Sequence, residues 1–289
     1  MKFSVALPMV DPRHYLPLAQ VAEEVGYDAV AVPESVFFPR EVSAKYPYTP
    51  DGERFWAAET PFLDPFVVIP AMAALTTRLE FYTNVVKLAI REPLLVAKAL
   101  SSAAVLSDNR VALGIGLSWI PEEFEWLNQE MRTRGKRTDE AIEIIRRACT
   151  GEFVSFDGAH YQFDELMMRP APTQPVRIYV GGHSEAGLRR AAKLGDGWIS
   201  ALQTHDELAE SVRQLNAFRA EYGRADQPFE IKAICSEAYE YDGFRQMEAA
   251  GVTDAMVCPW YFYPGDTSTL ESQQVGLERF GSEVLRRFR

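Results

Sequence analysis

Short apolar runs alternate with helical spacings along nearly the whole chain, and few folds accommodate that order. A strand that leads through a helix to another strand makes a crossover, and crossovers build parallel sheets. Residues 2–8 (KFSVALP) read as the first strand. Leu18, Val21, Ala22 and Val25 then fall at i, i+3, i+4, i+7, one apolar helix face, before Gly26 stops it. Residues 29–32 (AVAV) give the second strand, 79–84 (LEFYTN) the third and 111–116 (VALGIG) the fourth. Helices are expected at 65–75 and behind Pro93, where Val96, Ala99, Leu100 and Ala103 repeat the spacing. Strands at 176–180, 198–201, 229–235 and 255–258 follow, separated by helices at 185–194, 206–222 and 243–250 and closed by one near 269–287. Eight strands and about as many helices predict an α/β chain folded as one (β/α)8 TIM barrel over residues 1–289. An open doubly wound sheet is the competitor. It usually carries a glycine-rich phosphate turn after strand one, where this chain has Pro8-Met9-Val10.

Two stretches break the rhythm, after strands two and four. Residues 35–64 are rich in Pro, Tyr and Phe without a period, and a loop of that length in a barrel is usually functional. Residues 117–177 hold an acidic and aromatic stretch, a helix near 138–150 and a hairpin at 153–163 turning on Asp157-Gly158.

Composition excludes several classes. A formal net charge of -11 disfavours nucleic acid, whose phosphate backbone needs a basic face. No apolar run approaches the roughly 20 residues of a membrane span, and the start lacks a basic-then-apolar leader pattern. Cys149, Cys235 and Cys258 are odd in number and widely spaced, which fits reduced thiols in a cytoplasmic protein. No Cys-x-x-Cys or His-x-x-x-His spacing is present, so no metal site is expected.

In a parallel barrel the chemistry sits just after each strand. Strand five ends in Gly181-Gly182-His183-Ser184 before a helix. Glycines admit close backbone approach, and a helix N-terminus offers free N–H groups, so the turn reads as an anion site or as a tight turn capped by Ser184. Arg189, Arg190 and Lys193 follow and would add positive potential unless they form a solvated face. Strand four gives Gly114-Ile115-Gly116-Leu117-Ser118-Trp119, whose glycines leave room for a flat ring or for a neighbouring backbone. Glu34, after strand two, would project into the barrel mouth as an acid or base, or pair with Arg91. Ser35 and Ser118 lack a nucleophile-elbow context.

Four stretches together resemble the luciferase-like monooxygenase superfamily, in its branch of coenzyme F420-dependent oxidoreductases. They are AEEVGYD at 22–28, EPLLVAK at 92–98, VLSDNR at 105–110 leading into LGIG at 113–116, and VGGHS at 180–184 with GDGW at 195–198. The resemblance implies a flavin or deazaflavin across the barrel mouth, its phosphate at Gly181, Gly182, His183 and Ser184. It implies a ring backed by Asn84 and Val85, joined by a cis peptide, with ring-edge contacts from Glu34, Thr83 and Ser118. Many relatives carry an Asp-His pair after strand two, and here Glu34-Ser35 stands in its place. A catalytic proton would then come from Tyr, Glu or water.

The leading expectation is an oxidoreductase using F420 for hydride transfer to or from an apolar organic substrate, with Glu34 as the catalytic group. The 35–64 insertion and Trp260, Tyr261 and Tyr263 would wall the substrate pocket. The alternative is an FMN-dependent monooxygenase supplied by a separate flavin reductase. A further alternative is a barrel that binds flavin without turnover. A phosphate-dependent lyase or isomerase would need a lysine or metal at the mouth, for which Lys87 is the one lysine near a strand end. Relatives are often dimers, and a content of 47% hydrophobic residues is compatible with a homodimer interface.

Overall fold

The computed structural model describes residues 1–289. The runs rich in Val, Ile, Ala and Phe form strands buried on both faces, as a parallel sheet covered by helices requires. The order is β1 (Lys2–Ala6), α1 (Tyr15–Val25), β2 (Ala29–Val32), α2 (Pro65–Ala73), β3 (Glu80–Thr83), β4 (Val86–Lys87), α3 (Pro93–Leu106), β5 (Val111–Gly116), α4 (Pro121–Trp126) and α5 (Arg134–Ala148). There follow β6 (Phe153–Asp157), β7 (Gln162–Met167), β8 (Ile178–Gly181), α6 (Glu185–Leu194), β9 (Gly197–Gln203), α7 (His205–Glu221), β10 (Glu230–Cys235), α8 (Tyr241–Ala249), β11 (Asp254–Val257) and α9 (Leu270–Glu283).

Eight of these strands close a parallel ring in the order β1-β2-β3-β5-β8-β9-β10-β11, with β11 returning to β1 at Lys2↔Asp254 and Phe3↔Ala255. The expected (β/α)8 barrel is what the chain forms. The short β4 continues β3 after a bulge and pairs with β5 at Val86↔Ile115. The bond between Asn84 and Val85 in that bulge is cis, as the resemblance implied. Both insertions are present, and the second holds a helix, α4, that the sequence pattern did not reveal. The hairpin β6–β7 turns over Gly158–Tyr161, closed by a Gly158 N–H to Tyr161 carbonyl bond of 2.9 Å, a wider turn than the Asp-Gly pair suggests.

Four of the helices, α2, α6, α7 and α9, start under a side-chain cap. Asp64 accepts from Phe66 N–H ahead of α2, Ser184 from Gly187 N–H ahead of α6, and Thr204 forms a full capping box with Glu207 ahead of α7. Gly26 ends α1 at φ 101°, a left-handed position that suits glycine.

Inward positions alternate along the strands and fill the barrel in layers. The lower layer is polar. Lys232 lies 2.6 Å from Asp254 and 2.9 Å from Glu230, under the rings of Tyr82 and Tyr179, and Ser4 donates to Asp254. The upper positions are smaller or apolar: Gly116, Gly181, Ala201, Ile234, Met256 and Cys258. A polar plug therefore seals the bottom while the strands' C-terminal ends open into a cavity.

Candidate active site

The cavity at that end has a volume of about 910 Å³, within the roughly 300–1,000 Å³ range of small-molecule sites. The 33–64 connection roofs it. Tyr46 packs edge-on against Tyr48, Phe55, Trp56 and Trp119, with centroids 5.2–5.7 Å apart, and Tyr48 reaches across to His183 at 5.3 Å. The insertion is thus a strap held at both sides of the mouth. Such aromatic pairs contribute about 0.5–1.5 kcal/mol each beyond area burial. Burial pushes the Tyr46 phenol up to about 12 and that of Tyr48 upward as well, so both keep their protons at neutral pH.

On the β8 side, Gly182 adopts φ +121°, and its carbonyl accepts from Trp198 Nε1 at 2.9 Å. The backbone N–H groups of Gly182, His183 and Ser184 find no acceptor in the protein. Three successive unpaired N–H groups ahead of a ten-residue helix form an anion-binding concavity. Ser184 also caps α6, so the turn is both a capped helix start and a free donor set; the two readings of the sequence are compatible. The Ala201 N–H donates to His183 Nε2 at 3.2 Å, so the ring proton sits on Nδ1. Burial lowers the His183 pKa, which keeps the ring neutral with Nδ1–H as its free donor. Arg189 pairs with Glu185 and Glu221, and Arg190 with Asp139, so neither adds free charge to the turn. Arg134, at the start of α5, lines the cavity instead.

On the β2–β5 side the charged groups form a paired network. The Glu34 side chain is 2% exposed; Arg91 holds one oxygen and Lys87 N–H donates to the other at 2.8 Å. Burial raises its pKa against the pull of Arg91 and Lys87. The ion pair with Arg91 anchors the chain leaving the bulge, and Glu34 also lines the cavity. Replacing it with Gln should cost about 2 kcal/mol, because Arg91 loses its buried partner. Urea denaturation checks this, and an unchanged midpoint would remove the structural role.

Ser118, at φ 62°, lines the cavity, donates to Glu123 at 2.6 Å and accepts from Ile120 N–H at 3.2 Å. Glu123, fully buried, also takes Lys87 Nζ. Asn84 and Val85 line the cavity wall. Thr83 does not: it lies on the outward side of β3, where its hydroxyl bridges the N–H and carbonyl of Gly114 at 2.9 and 2.6 Å. Those bonds replace ladder bonds interrupted by the bulge. Gly114 and Gly116 make room for Thr83's carbonyl and Val85's side chain, the neighbouring-backbone reading of the strand. Of the late aromatics, Tyr261 lines the cavity with Phe262, whereas Trp260 is buried and Tyr263 turns to Glu283 and Arg279.

The sequence reading missed Glu123 and Arg134 as supporting or lining groups, whereas the 35–64 insertion does line the cavity. It also passed over His205, Cys235 and Glu237, whose donor atoms lie within 4.8 Å of one another. Glu237 there already accepts from His205 N–H, and burial pushes the Cys235 thiol up, away from the thiolate a metal needs. No helix is long and apolar enough to cross a membrane.

Comparison with known proteins places this arrangement. An uncharacterized protein of Mycobacterium tuberculosis is 43% identical over 288 residues, 99% of each chain. An F420-dependent glucose-6-phosphate dehydrogenase of Gordonia bronchialis is 29% identical over 204 residues, 68% of this chain and 55% of that one. The coenzyme F420-dependent tetrahydromethanopterin reductase of Methanopyrus kandleri superposes with a TM-score of 0.77 at 14% identity, covering 100% of this chain and 99% of that one. The pattern of the luciferase-like monooxygenases matches residues 2–237, and the chain belongs to that family.

Proposed function

We propose that this protein is an oxidoreductase that uses the deazaflavin F420 in hydride transfer to or from an apolar organic substrate. The observation that carries the reading is the row of unpaired N–H groups at Gly182, His183 and Ser184, opening on a cavity of about 910 Å³. An anion site with no internal acceptor at a cavity wall suits a cofactor phosphate. His183 Nδ1–H and Arg134 would add side-chain donors to it. Asn84, Val85 and Gly116 offer a narrow wall for a flat ring. Likeness to F420-dependent relatives supports the deazaflavin over FMN.

When bound, F420 supplies a hydride acceptor or donor; the chain supplies position, exclusion of water and protons. The aromatic strap covers the mouth, and a substrate lodged beneath it would meet mainly apolar surface. Glu34 is held by Arg91 and Lys87 N–H, so it orients the wall instead of exchanging protons. Lys87 Nζ, fixed by Glu123, is the cavity-lining ammonium, and the Tyr46, Tyr48, Tyr239 and Tyr261 phenols also line the cavity as proton donors.

Titrating the purified protein with F420 and with FMN, each followed by its own fluorescence, tests the proposal. We expect saturable binding of F420, weakened at least about tenfold by His183→Ala through loss of a charge-assisted hydrogen bond. Tight binding of FMN with no response to F420 would overturn it in favour of the flavin monooxygenase reading.

A further inference from the structure

The two sides of the cavity mouth differ. The strap roofs the side from β2 to β8, where Tyr48 meets His183. The side from β9 to β11 keeps an open apolar rim: Leu202 is 45% exposed, Tyr239 55% and Tyr261 49%, and all three line the cavity. No charged side chain lines the cavity from β9, β10, β11 or the segments that follow them.

Leu202 stands on this rim because β9 is interrupted there. Ser200 pairs with Ala233 and Gln203 with Cys235, so Ala201 and Leu202 together face Ile234, a β-bulge. In an unbroken strand Leu202 would point away from the barrel interior, opposite to Ala201. In the bulge it takes φ 54°, a left-handed conformation that costs energy in a residue with a β-carbon, and both side chains reach the cavity. Gln203 holds the bulge in place. Its buried amide accepts from Ser200 at 2.5 Å and donates to Ser211 on α7 at 2.9 Å, and its carbonyl takes the Ser236 N–H at 2.9 Å. The Ser236 carbonyl in turn accepts the Tyr239 hydroxyl at 2.6 Å. One anchored segment therefore sets both Leu202 and Tyr239. Backbone strain that delivers an apolar side chain to solvent adds nothing to the fold, and such strain concentrates where a ligand is gripped.

We infer that Leu202 is a specificity residue, and that the substrate is a neutral molecule whose apolar extension leaves the cavity over Leu202, Tyr239 and Tyr261. The inference rests on the reading of the cavity as an oxidoreductase site for an apolar organic substrate. The reacting group lies inside, and the extension exchanges water for the rim. A charged extension would lose hydration and find no counter-ion on this side.

Calorimetric titration with three probes tests this: cyclohexanone, 4-cyclohexylcyclohexanone and 4-oxocyclohexanecarboxylate. The wild type should bind the bicyclic ketone about thirtyfold more tightly than cyclohexanone, the effect of roughly two or three further buried methylene groups. It should bind the carboxylate no more tightly than cyclohexanone. Leu202→Ala and Leu202→Gly should each cut the bicyclic advantage to about fivefold or less while binding cyclohexanone as the wild type does. Leu202→Gly should also have a higher denaturation midpoint than Leu202→Ala, because glycine adopts the left-handed conformation without strain. Relief of strain without recovery of affinity is a signature that a purely structural leucine would not give. No binding of the bicyclic ketone, equal affinity of the wild type for the two ketones, tightest binding of the carboxylate, or an undiminished advantage in both variants would each overturn the inference. All of these outcomes leave F420 binding, followed separately by its fluorescence, untouched. Absence of F420 binding would instead overturn the cofactor reading alone.

Discussion

Replacing Lys232 with methionine should cost the fold about 3–5 kcal/mol, because it strands two buried carboxylates at the barrel floor. The ammonium is 1% exposed and bridges Asp254 and Glu230 at 2.6 and 2.9 Å. Methionine fills the volume between Tyr82 and Tyr179 but leaves Asp254, which is fully buried, with only the Ser4 hydroxyl. Urea denaturation at neutral pH reads the loss, and a change below about 1 kcal/mol would show that water or rearrangement satisfies the floor without the cation. Adding Asp254→Asn to the variant should recover part of the loss, since the cost lies in unpaired charge more than in lost packing.

The same triad sets a pH dependence. Burial opposes the charge on Glu230, but Lys232, Lys2 and Arg177 outweigh it and draw the carboxyl down to about 2 from an ordinary 4.5. A depressed carboxylate stabilises the fold above 4.5, and that contribution disappears as pH falls towards 2. Lys232 runs the other way: Asp254 and Glu230 raise it above 10.5 despite burial, so its contribution holds below 10.5 and is lost as pH climbs through the raised value. The triad therefore supports the fold evenly from about pH 4.5 to about pH 10.5. In the methionine variant the acid limb between pH 2 and 5 should flatten, because the first-named pull on Glu230 is gone.

Much of this architecture is legible in the sequence because it is written locally. Strand and helix periods, the Gly26 stop, the Ser184 cap and the glycine turn at 181–182 each depend on residues within one or two turns of the chain. The site is less legible because its pairings are long-range. In Pro121-Glu122-Glu123-Phe124-Glu125 nothing marks Glu123 as the buried acid; Lys87, 36 residues earlier, selects it. The resemblance implied that Thr83 touches a ring edge. Strand alternation, with Tyr82 inward, puts it on the other face, and the bulge gives its hydroxyl a backbone to bridge. Trp260, Tyr261 and Tyr263 were expected to act together. The 3-10 turn at Pro259–Tyr261 spreads successive side chains around its axis, so Trp260 packs against Gly276 on α9 while Tyr261 reaches the cavity.

Replacing Gly114 with alanine should cost at least about 3 kcal/mol, whereas the same change at Gly116, one inward position along β5, should cost about 1 kcal/mol or less. A β-carbon at Gly114 would lie 1.9 Å from the Thr83 carbonyl oxygen and 2.7 Å from Ile199 Cδ1. The Ile199 methyl can rotate away; the Thr83 carbonyl is backbone and moves only if β3 shifts. That shift would also break the two bonds between Thr83's hydroxyl and Gly114, leaving buried polar groups unpaired. At Gly116 the contact is the Val85 Cγ2 methyl at 2.7 Å, the end of a side chain that borders an open cavity and can yield. The two variants add the same atom to the same strand, so the difference between them isolates the backbone contact. Cofactor affinity should follow the same order, because moving Thr83 moves the Asn84–Val85 wall directly after it. Denaturation midpoints and cofactor titrations on both proteins measure this, and equal losses at the two glycines would mean that the bulge is not what requires Gly114.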